Sequence, residues 1–188
     1  MRIDKDTYFM EIAKSVARRS TCIRLNRQYG CVIINEHGEI IATGYNGAIR
    51  GWPHCTIESC EKDAQEIGSG KGHFECHAVH AEMNALLQAG KLARKGMLYV
   101  NGIPCRMCAR MMVNAGISRV VYFDDDYPDR KGIAILVQMG IAVAAMGESK
   151  LHKGELIMLF SVGSPVSMRE INLRDFLERN SNTSKDGN

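Results

Sequence analysis

The sequence predicts an α/β domain whose central, partly parallel sheet is covered by helices on both faces. Short and uniformly apolar runs alternate with helical segments after residue 80, a pattern typical of strands that are buried on both faces. Glycines mark the junctions between these segments, where helices commonly end: Gly90, Gly96, Gly116 and Gly140. The length of 188 residues, with 45% hydrophobic and 24% charged residues, fits one ordinary globular domain.

The first elements are predicted to be a helix and a β-hairpin. Apolar residues recur at helical spacing from Asp4 to Arg19, with Asp4 or Asp6 as the N-cap. Two apolar runs, 31–34 and 40–42, flank a loop that contains a glycine, which indicates a hairpin. Cys31 lies inside the first of these runs, so we expect it to be a small core residue.

The second half of the chain is predicted to alternate between helices and strands. Helices are expected at 80–89, 105–114 and 129–139, and strands at 97–100, 120–123 and 141–145. The apolar segment 156–160 fits a strand or a helix equally well. The polar residues 180–188 are expected to form a disordered tail, which leaves residues 1–179 as a single domain.

Residues 44–79 differ in composition from the rest of the domain. They are rich in Gly, Cys, His and charge, and they contain Trp52, the single tryptophan of the chain. Structureless loops of this length are uncommon in compact domains unless they serve a function. We therefore interpret this segment as a functional Cys/His-rich insertion.

Charge and cysteine content exclude several classes of protein. The net charge of +3 is too small to indicate stable nucleic-acid binding. No apolar run approaches the roughly 18–20 residues of a membrane span, and the charged N-terminus does not predict a signal peptide. Seven cysteines, an odd number, argue against a disulfide scaffold. We expect a cytoplasmic protein that uses cysteine for metal binding or catalysis.

Two short motifs indicate a catalytic zinc site, and each is predicted at a helix start. They are His80-Ala81-Glu82 and Pro104-Cys105-Arg106-Met107-Cys108. Thiols three residues apart project from the same side of a helix, and a helix N-terminus favours the thiolate form. Two thiolates and one imidazole provide three zinc ligands and leave a fourth position open, as in catalytic sites. Zinc lowers the pKa of a bound water to about 7, which makes hydroxide available at neutral pH.

Glu82 is predicted to move protons rather than to bind the metal. Residues two apart do not share a helix face, so Glu82 is a poor second ligand beside His80. From the first helical turn a glutamate can instead reach over the metal and act as a proton shuttle. A C-x-x-C pair alone also fits a structural zinc half-site or a redox pair. The combination of both motifs at two helix starts favours a catalytic zinc.

These motifs match the H-x-E…P-C-x-x-C pattern of the zinc nucleobase deaminases. From about Ala13 to Ala145 the chain resembles the deoxycytidylate (dCMP) deaminases of that superfamily. Further segments carry the resemblance: RSTC (19–22), GCVII (30–34), GYNG (44–47), HAEMNA (80–85), PCRMCA (104–109), AGI (115–117) and VVY (120–122). The resemblance implies a cytidine deaminase-like, three-layer α/β/α fold with a central mixed sheet of about five strands.

The resemblance also implies an activity and the residues that perform it. The activity is zinc-dependent hydrolysis of dCMP to dUMP and ammonia, which supplies dUMP for dTMP synthesis. Three residues would bind the catalytic Zn²⁺ (His80, Cys105 and Cys108), and Glu82 would be the catalytic proton shuttle. Asn46 would bind the sugar hydroxyl of the substrate, although an Asn at this position also suits a tight turn. Tyr127 would contact the substrate phosphate or sugar, or simply pack.

Regulation and assembly follow from the same resemblance. Many members of the family are activated by dCTP with Mg²⁺ and inhibited by dTTP, and the basic stretch Lys14–Arg27 is compatible with such a site or with an exposed helix face. A homo-oligomer is expected, with a hexamer favoured. Three cations are candidates for contact with the substrate phosphate: Arg50, Lys91 and Arg106.

The remaining cysteines suggest a second, structural Zn²⁺. Cys55, Cys60 and Cys76 could clamp the insertion together with His54, His73 or His77, and Cys22 is a further candidate ligand. A metal would replace the core that such an insertion lacks. The alternative is that these thiols are unconnected.

Two other functions remain open at this point. A tRNA adenosine deaminase or a free-cytidine deaminase would share the zinc motifs, although the charge is modest and no Arg-rich C-terminal helix is evident. A non-catalytic zinc module would not need Glu82. Preference for a phosphorylated substrate over cytidine separates the first group from a dCMP deaminase.

Overall fold

A computed structural model describes residues 2–68, 75–123 and 129–147 of the chain. Two 3-10 turns, Leu25–Arg27 and Gly90–Ala93, accompany the regular elements. In chain order those elements are α1 (Lys5–Ala17), β1 (Gly30–Ile34), β2 (Ile40–Tyr45), β3 (Gly47–Ala48), α2 (Glu61–Ala64), β4 (Ala78–Val79), α3 (Ala81–Ala89), β5 (Met97–Val100), α4 (Arg106–Ala115), β6 (Arg119–Phe123), α5 (Lys131–Gln138) and β7 (Ala142–Met146).

The central sheet is mixed and has five strands in the order β2-β1-β5-β6-β7. The hairpin β1–β2 and the pair β1–β5 are antiparallel, whereas β5–β6 and β6–β7 are parallel. The two parallel connections each contain a helix, as crossovers between parallel strands require. This confirms the predicted mixed sheet with a parallel part.

Helices cover both faces of the sheet and create two cores. On one face, α1 packs through Phe9 and Met10 against Val32, Ile34 and Tyr99. On the other face, α3, α4 and α5 bury the alternate residues of the same strands, among them Ile33 and Leu98. Every residue of β1 is buried because both of its faces are covered. Cys31 is fully buried in this strand, which confirms its predicted place in the core.

The predicted elements agree with the observed ones to within about two residues at each end, except that β2 ends at Tyr45, three residues beyond the predicted run 40–42. Asp4 is the N-cap of α1, since its carboxylate accepts a hydrogen bond from the Thr7 N–H at 2.9 Å. Helix α4 ends at Gly116, whose φ of 76° is the left-handed conformation that favours glycine. The segments 156–160 and 180–188 lie outside the described residues. Within the ranges that are described, no helix combines the length and apolar character needed to cross a membrane.

The insertion is partly ordered rather than uniformly irregular. Gly44 and Tyr45 complete β2, so the insertion begins after the strand ends. Its two ends then pair as the antiparallel strands β3 and β4, with Gly47 opposite Val79 and Ala48 opposite Ala78. This small sheet leads directly into His80 and α3, which places the base of the insertion next to the predicted metal ligands.

A partly buried ion pair fastens α1 to the sheet. Arg119 of β6 donates two hydrogen bonds to the Asp6 carboxylate, each 2.7 Å long. The hydroxyl of Tyr99 donates a third at 3.0 Å. The hydrogen bonds from Arg119 hold the pKa of the Asp6 carboxyl below its usual value, although burial opposes them. The ionised carboxylate therefore favours the folded chain.

Asp6→Asn is expected to lower the free energy of unfolding by about 1–3 kcal/mol at pH 7, because charge-assisted hydrogen bonds are lost. Since the pKa of Asp6 is lower in the folded than in the unfolded chain, its contribution is complete above about pH 4. The contribution disappears as the pH falls through the folded-state pKa. Urea unfolding at several pH values from 7 to 3.5 measures the difference from wild type. Glu11→Gln, at an exposed position of α1, is the control. A difference that does not shrink on acidification would contradict this account.

Candidate metal centre and active site

His80 is positioned by the start of α3. It is the N-cap of this helix, with extended backbone angles, and it follows the short strand β4. Its side chain forms no capping hydrogen bond to the helix. Two contacts between α3 and β2 fix the helix. Asn84 donates to the Tyr45 carbonyl at 2.8 Å, and Gly44 lies so close that a Cβ there would be 2.2 Å from the Ala81 carbonyl oxygen.

The two cysteines occupy the start of α4, after the end of β5. Cys105 is the N-cap, and its sulfur accepts a hydrogen bond from the Cys108 N–H at 3.5 Å. Cys108 lies in the first turn and is fully buried, whereas Cys105 is 8% exposed. Gly132 of α5 packs closely against this loop, since a Cβ there would be 2.0 Å from the Pro104 carbonyl oxygen.

The three side chains converge on a single point. His80 Nδ1 lies 3.5 Å from Cys105 Sγ and 3.4 Å from Cys108 Sγ. In tetrahedral zinc sites the Zn–S and Zn–N distances are about 2.3 Å and 2.0 Å, which separates a nitrogen and a sulfur donor by about 3.5 Å. The observed distances match this separation, so the donors fit a zinc ion. These are also the donors that the sequence predicts, and Nδ1 is the ligating nitrogen that the geometry selects.

Protonation of the three donors is strongly coupled. A hydrogen bond from the Cys108 thiol, reinforced by His80, lowers the pKa of the Cys105 thiol to about 3. The hydrogen bond to Cys105, together with burial, raises the pKa of the Cys108 thiol. The hydrogen bond to the Cys105 sulfur raises the pKa of the His80 imidazole. These contacts favour the thiolate form of Cys105. Metal binding would displace the protons that the other two donors share with it.

Glu82 lies beside these donors without joining them. It is 5% exposed, one of the few charged side chains buried in the described part of the chain. Burial raises the pKa of its carboxyl, while the nearby His80 lowers it. Its carboxylate also interacts with the Cys108 thiol. In the described residues, the metal-ligating atoms that gather in a group of three within 4.8 Å of one another are those of His80, Cys105 and Cys108, without Glu82. A buried carboxyl next to an open coordination position is suited to proton transfer.

Comparison with known proteins identifies the family. The family described as the cytidine and deoxycytidylate deaminase zinc-binding region matches residues 3–124, which include all three donors and Glu82. The chain belongs to this family.

Individual members of the deaminase family are similar over most of the described chain. Deoxycytidylate deaminase of Saccharomyces cerevisiae is 38% identical over 145 residues, 76% of this chain and 45% of that protein. Deoxycytidylate deaminase of Mycobacterium phage D29 is also 38% identical, over 64% of this chain and 95% of that protein. The chain spans less than half the length of the yeast relatives, 45% in Saccharomyces cerevisiae and 42% in Schizosaccharomyces pombe.

A solved structure confirms the three-layer α/β fold of this deaminase-family chain. The dCMP deaminase from the cyanophage S-TIM5, crystallised in complex with dCMP and dUMP, matches with a TM-score of 0.61 and 26% sequence identity. The match covers 78% of this chain and 99% of that chain. The predicted cytidine deaminase-like fold is therefore confirmed.

A pocket extends from the metal centre to the insertion. His80, Glu82 and Cys105 lie in its wall, together with residues from the loop before β1 and from the insertion. Asn46, the predicted sugar-binding residue, also lines this pocket and is 8% exposed. Tyr127, the other predicted substrate contact, lies outside the described residues.

The Asn46 amide supports the turn in which it lies. Its Oδ1 accepts hydrogen bonds from the Tyr29 N–H and the Ser20 hydroxyl, both 2.7 Å long. Its Nδ2 donates to the Arg27 carbonyl at 2.8 Å. These contacts agree with the tight-turn interpretation and fix the amide in the pocket wall. Its contact with a substrate sugar stays a prediction.

The cations of the pocket differ from the three phosphate candidates that the sequence suggests. Among the described residues that line it, the cationic ones are Arg24, Arg27 and Lys62. Arg50, Lys91 and Arg106 are not part of this lining, and Arg106 instead pairs with Asp129 at 3.1 Å. The three candidates were chosen because they are near the motifs along the chain. Such proximity does not indicate which cations face the pocket. Arg24 and Arg27 belong to the basic stretch 14–27, and the composition of that stretch was the sequence signal that could have identified them.

Four of the cysteines considered for a second metal line the same pocket. Cys22, Cys55, Cys60 and Cys76 all line it, although they come from three separate segments. Burial raises the pKa of the Cys22 and Cys55 thiols, and the charges of neighbouring thiols add to this rise. Among the residues with described positions, their sulfurs do not gather within 4.8 Å in a group of three.

His77, a predicted ligand of the second zinc, has other partners. Its Nε2 lies 3.0 Å from the Glu61 carboxylate, and its ring contacts that of Trp52 with centroids 4.9 Å apart. His54 is exposed, and His73 lies outside the described residues. The role of His77 as a ligand of a second zinc stays a prediction.

Proposed function

We propose that this chain catalyses the hydrolytic deamination of dCMP to dUMP and ammonia. The observation that carries the proposal is the trio of His80 Nδ1, Cys105 Sγ and Cys108 Sγ at the separations of zinc ligands, with the buried Glu82 carboxyl beside them. Relatives named deoxycytidylate deaminase support dCMP as the substrate, and so does a neighbouring structure in complex with dCMP and dUMP.

The chain's own residues divide the work between metal binding and proton transfer. His80, Cys105 and Cys108 would hold Zn²⁺, which supplies a hydroxide nucleophile at neutral pH when bound. Glu82 accepts a proton from the attacking water at its carboxylate and delivers it to N3 of the cytosine ring, while the water oxygen forms a bond to C4. Glu82 then transfers the remaining proton of that oxygen to the exocyclic amine, the C4–N bond breaks, and ammonia leaves. The buried position of Glu82 protects this carboxyl from bulk water during both transfers.

The burial of Glu82 favours an enzyme over a non-catalytic zinc module. A carboxyl group in an apolar environment is costly to maintain, and here it is not a metal ligand. A module that only binds zinc would gain stability from an apolar residue at this position. The retention of a buried carboxyl beside an open coordination position is typical of a catalytic acid–base group.

Ammonia release from the zinc-loaded protein tests the proposal. The purified chain is offered dCMP, CMP, deoxycytidine and dCTP separately, and the deaminated product of each is followed by chromatography. Turnover of dCMP well above that of deoxycytidine is expected. Equal turnover of the two would contradict a nucleotide-specific enzyme and favour a free-cytidine deaminase. No turnover of any of them, with zinc bound, would exclude the proposed activity.

We also propose that the insertion holds a second, structural Zn²⁺ with Cys22, Cys55, Cys60 and Cys76 as its ligands. Support comes from the convergence of these four thiols on one pocket wall and from the other partners of His77. Four cysteine thiolates are a common closed ligand set of structural zinc. Binding would draw the sulfurs closer together than the described positions place them.

Zinc content of the purified chain distinguishes the two metal sites. Wild type is expected to hold two zinc ions, Cys60→Ser one, and Cys108→Ser one, by atomic emission. The double variant should hold none. Loss of the insertion zinc should also change the fluorescence of Trp52, which contacts His77 next to Cys76. A wild-type content of one zinc, unaffected by Cys60→Ser, would exclude the second site.

The remaining expectations concern regulation and assembly, and they stay predictions. These are activation by dCTP with Mg²⁺, inhibition by dTTP, a hexameric homo-oligomer, a cytoplasmic location, and a role in supplying dUMP for dTMP synthesis. Within the basic stretch, Lys14 lies 4.1 Å from the centre of the Phe123 ring and Arg24 pairs with Asp63. Both cations therefore have partners within the chain.

A further inference from the structure

Arg27 is a pocket cation to which the proposed chemistry assigns no role. It ends the 3-10 turn Leu25–Arg27 and shares a pocket with His80 and Glu82. Its carbonyl accepts a hydrogen bond from Asn46 Nδ2 at 2.8 Å, and the Tyr29 N–H donates to Asn46 Oδ1 at 2.7 Å. The backbone that carries Arg27 is therefore tied to the pocket wall on both sides.

The guanidinium group of Arg27 is held in place by Tyr29. Arg27 Nη1 donates a hydrogen bond to the Tyr29 hydroxyl at 3.1 Å. The Tyr29 ring packs directly on the backbone of Gly102, where a Cβ would lie 2.3 Å from the ring atom Cε1. Gly102 lies three residues before Cys105, so the ring joins Arg27 to the loop that carries a metal ligand. The hydrogen bond to a ring that is packed in this way restricts the orientation of the Arg27 guanidinium.

Among the described residues, no carboxylate balances the charge of Arg27. Throughout residues 2–68, 75–123 and 129–147, no Asp or Glu oxygen forms an ion pair with it within 4.0 Å. Arg24, in contrast, is paired with Asp63, and Lys62 stands between Glu61 and Asp63 on α2. An unbalanced cation in a concave pocket concentrates positive potential there.

We infer that Arg27 binds the 5′-phosphate of the nucleotide substrate and makes the site selective for nucleotides over nucleosides. This inference rests on the proposed function. A guanidinium can present two parallel N–H groups to phosphate oxygens, and only one of its five N–H groups is used by Tyr29. Tyr29 acts as a positioning residue, because it holds the guanidinium without contacting the phosphate itself.

Kinetics with paired substrates measure the selectivity that Arg27 provides. Arg27→Met is expected to lower kcat/KM for dCMP by about 10- to 100-fold, mainly through KM, because charge-assisted hydrogen bonds to the substrate are lost. The value for deoxycytidine, which has no phosphate, should change by less than about threefold. Arg27→Lys should retain part of the preference, and Tyr29→Phe should lose a smaller part. Arg110→Met, which removes an exposed arginine of α4 outside the pocket, is the control.

Product binding tests the inference independently of turnover. Calorimetric titration should show that wild type binds dUMP at least about tenfold more tightly than deoxyuridine, and that Arg27→Met removes this difference. A difference that persists in Arg27→Met, or is absent from wild type, would overturn the assignment of Arg27. If dUMP binding depends on Arg27 but neither dCMP nor deoxycytidine is deaminated, the proposed function fails while the phosphate site stands.

Discussion

Glu82→Gln is expected to lower kcat/KM for dCMP by about 10²- to 10⁴-fold, the range associated with loss of a general acid–base group. Glutamine has nearly the same shape as glutamate, but it can neither accept nor release a proton at the pH of the assay. Zinc content and the unfolding temperature should match those of wild type, because His80, Cys105 and Cys108 are untouched. Steady-state kinetics, atomic emission and thermal unfolding together check these expectations.

The control for this variant is Glu11→Gln, which removes a carboxylate of the same kind from the exposed face of α1. Its kinetics should equal those of wild type. Substantial activity in zinc-loaded Glu82→Gln would contradict the role of Glu82 as proton shuttle. Loss of zinc from that variant would instead make Glu82 part of the metal site, against the observed geometry.

Gly132→Ala is expected to destabilise the fold by about 3 kcal/mol and to weaken zinc binding. A Cβ at this position would lie 2.0 Å from the Pro104 carbonyl oxygen and 2.9 Å from the Cys105 carbonyl carbon. Both contacts are with backbone, so α5 or the loop that carries Cys105 must move. Alanine normally stabilises a helix relative to glycine by about 1 kcal/mol, so the sign of the effect is itself diagnostic. Urea unfolding and competition with a zinc chelator measure the two effects.

Gly68→Ala provides the matched control for Gly132→Ala. A Cβ at Gly68 would meet no atom of the described residues within 4 Å, so the stability should change by less than about 0.5 kcal/mol. If Gly132→Ala keeps the stability and zinc affinity of wild type, the contact between α5 and the loop that carries Cys105 does not constrain the site.

The local elements and the metal ligands could be predicted from the sequence because their signals are short-range. The 97–100 strand and the helix after Pro104 depend on residues within a few positions of one another, and both occur as predicted. The three-residue spacing of Cys105 and Cys108 places both sulfurs at one helix start wherever that helix lies. The same reasoning about helix faces predicted that Glu82 is not a metal ligand. In the described residues Glu82 lies outside the group formed by His80, Cys105 and Cys108.

The composition of the pocket could not be predicted in this way. Arg50, Lys91 and Arg106 are near the motifs along the chain, yet the cations in the pocket wall are Arg24, Arg27 and Lys62. His77 directly follows Cys76 in the sequence, but its ring faces Trp52 and Glu61. Such choices depend on how separate segments pack, and spacing along the chain carries no information about that packing.

Periodicity and motif spacing were enough to predict the order of helices and strands, a partly parallel sheet and the candidate metal ligands. The folded chain was needed to show that His80 Nδ1 meets two sulfurs from residues 25 and 28 positions away, and that Arg27 shares their pocket. Backbone geometry fixes side-chain spacing within one element, whereas the approach of different elements is set by packing. The absence of a side chain at Gly44 lets α3 pack closely, and its absence at Gly132 does the same for the loop that carries Cys105. Neither contact can be recognised from local spacing.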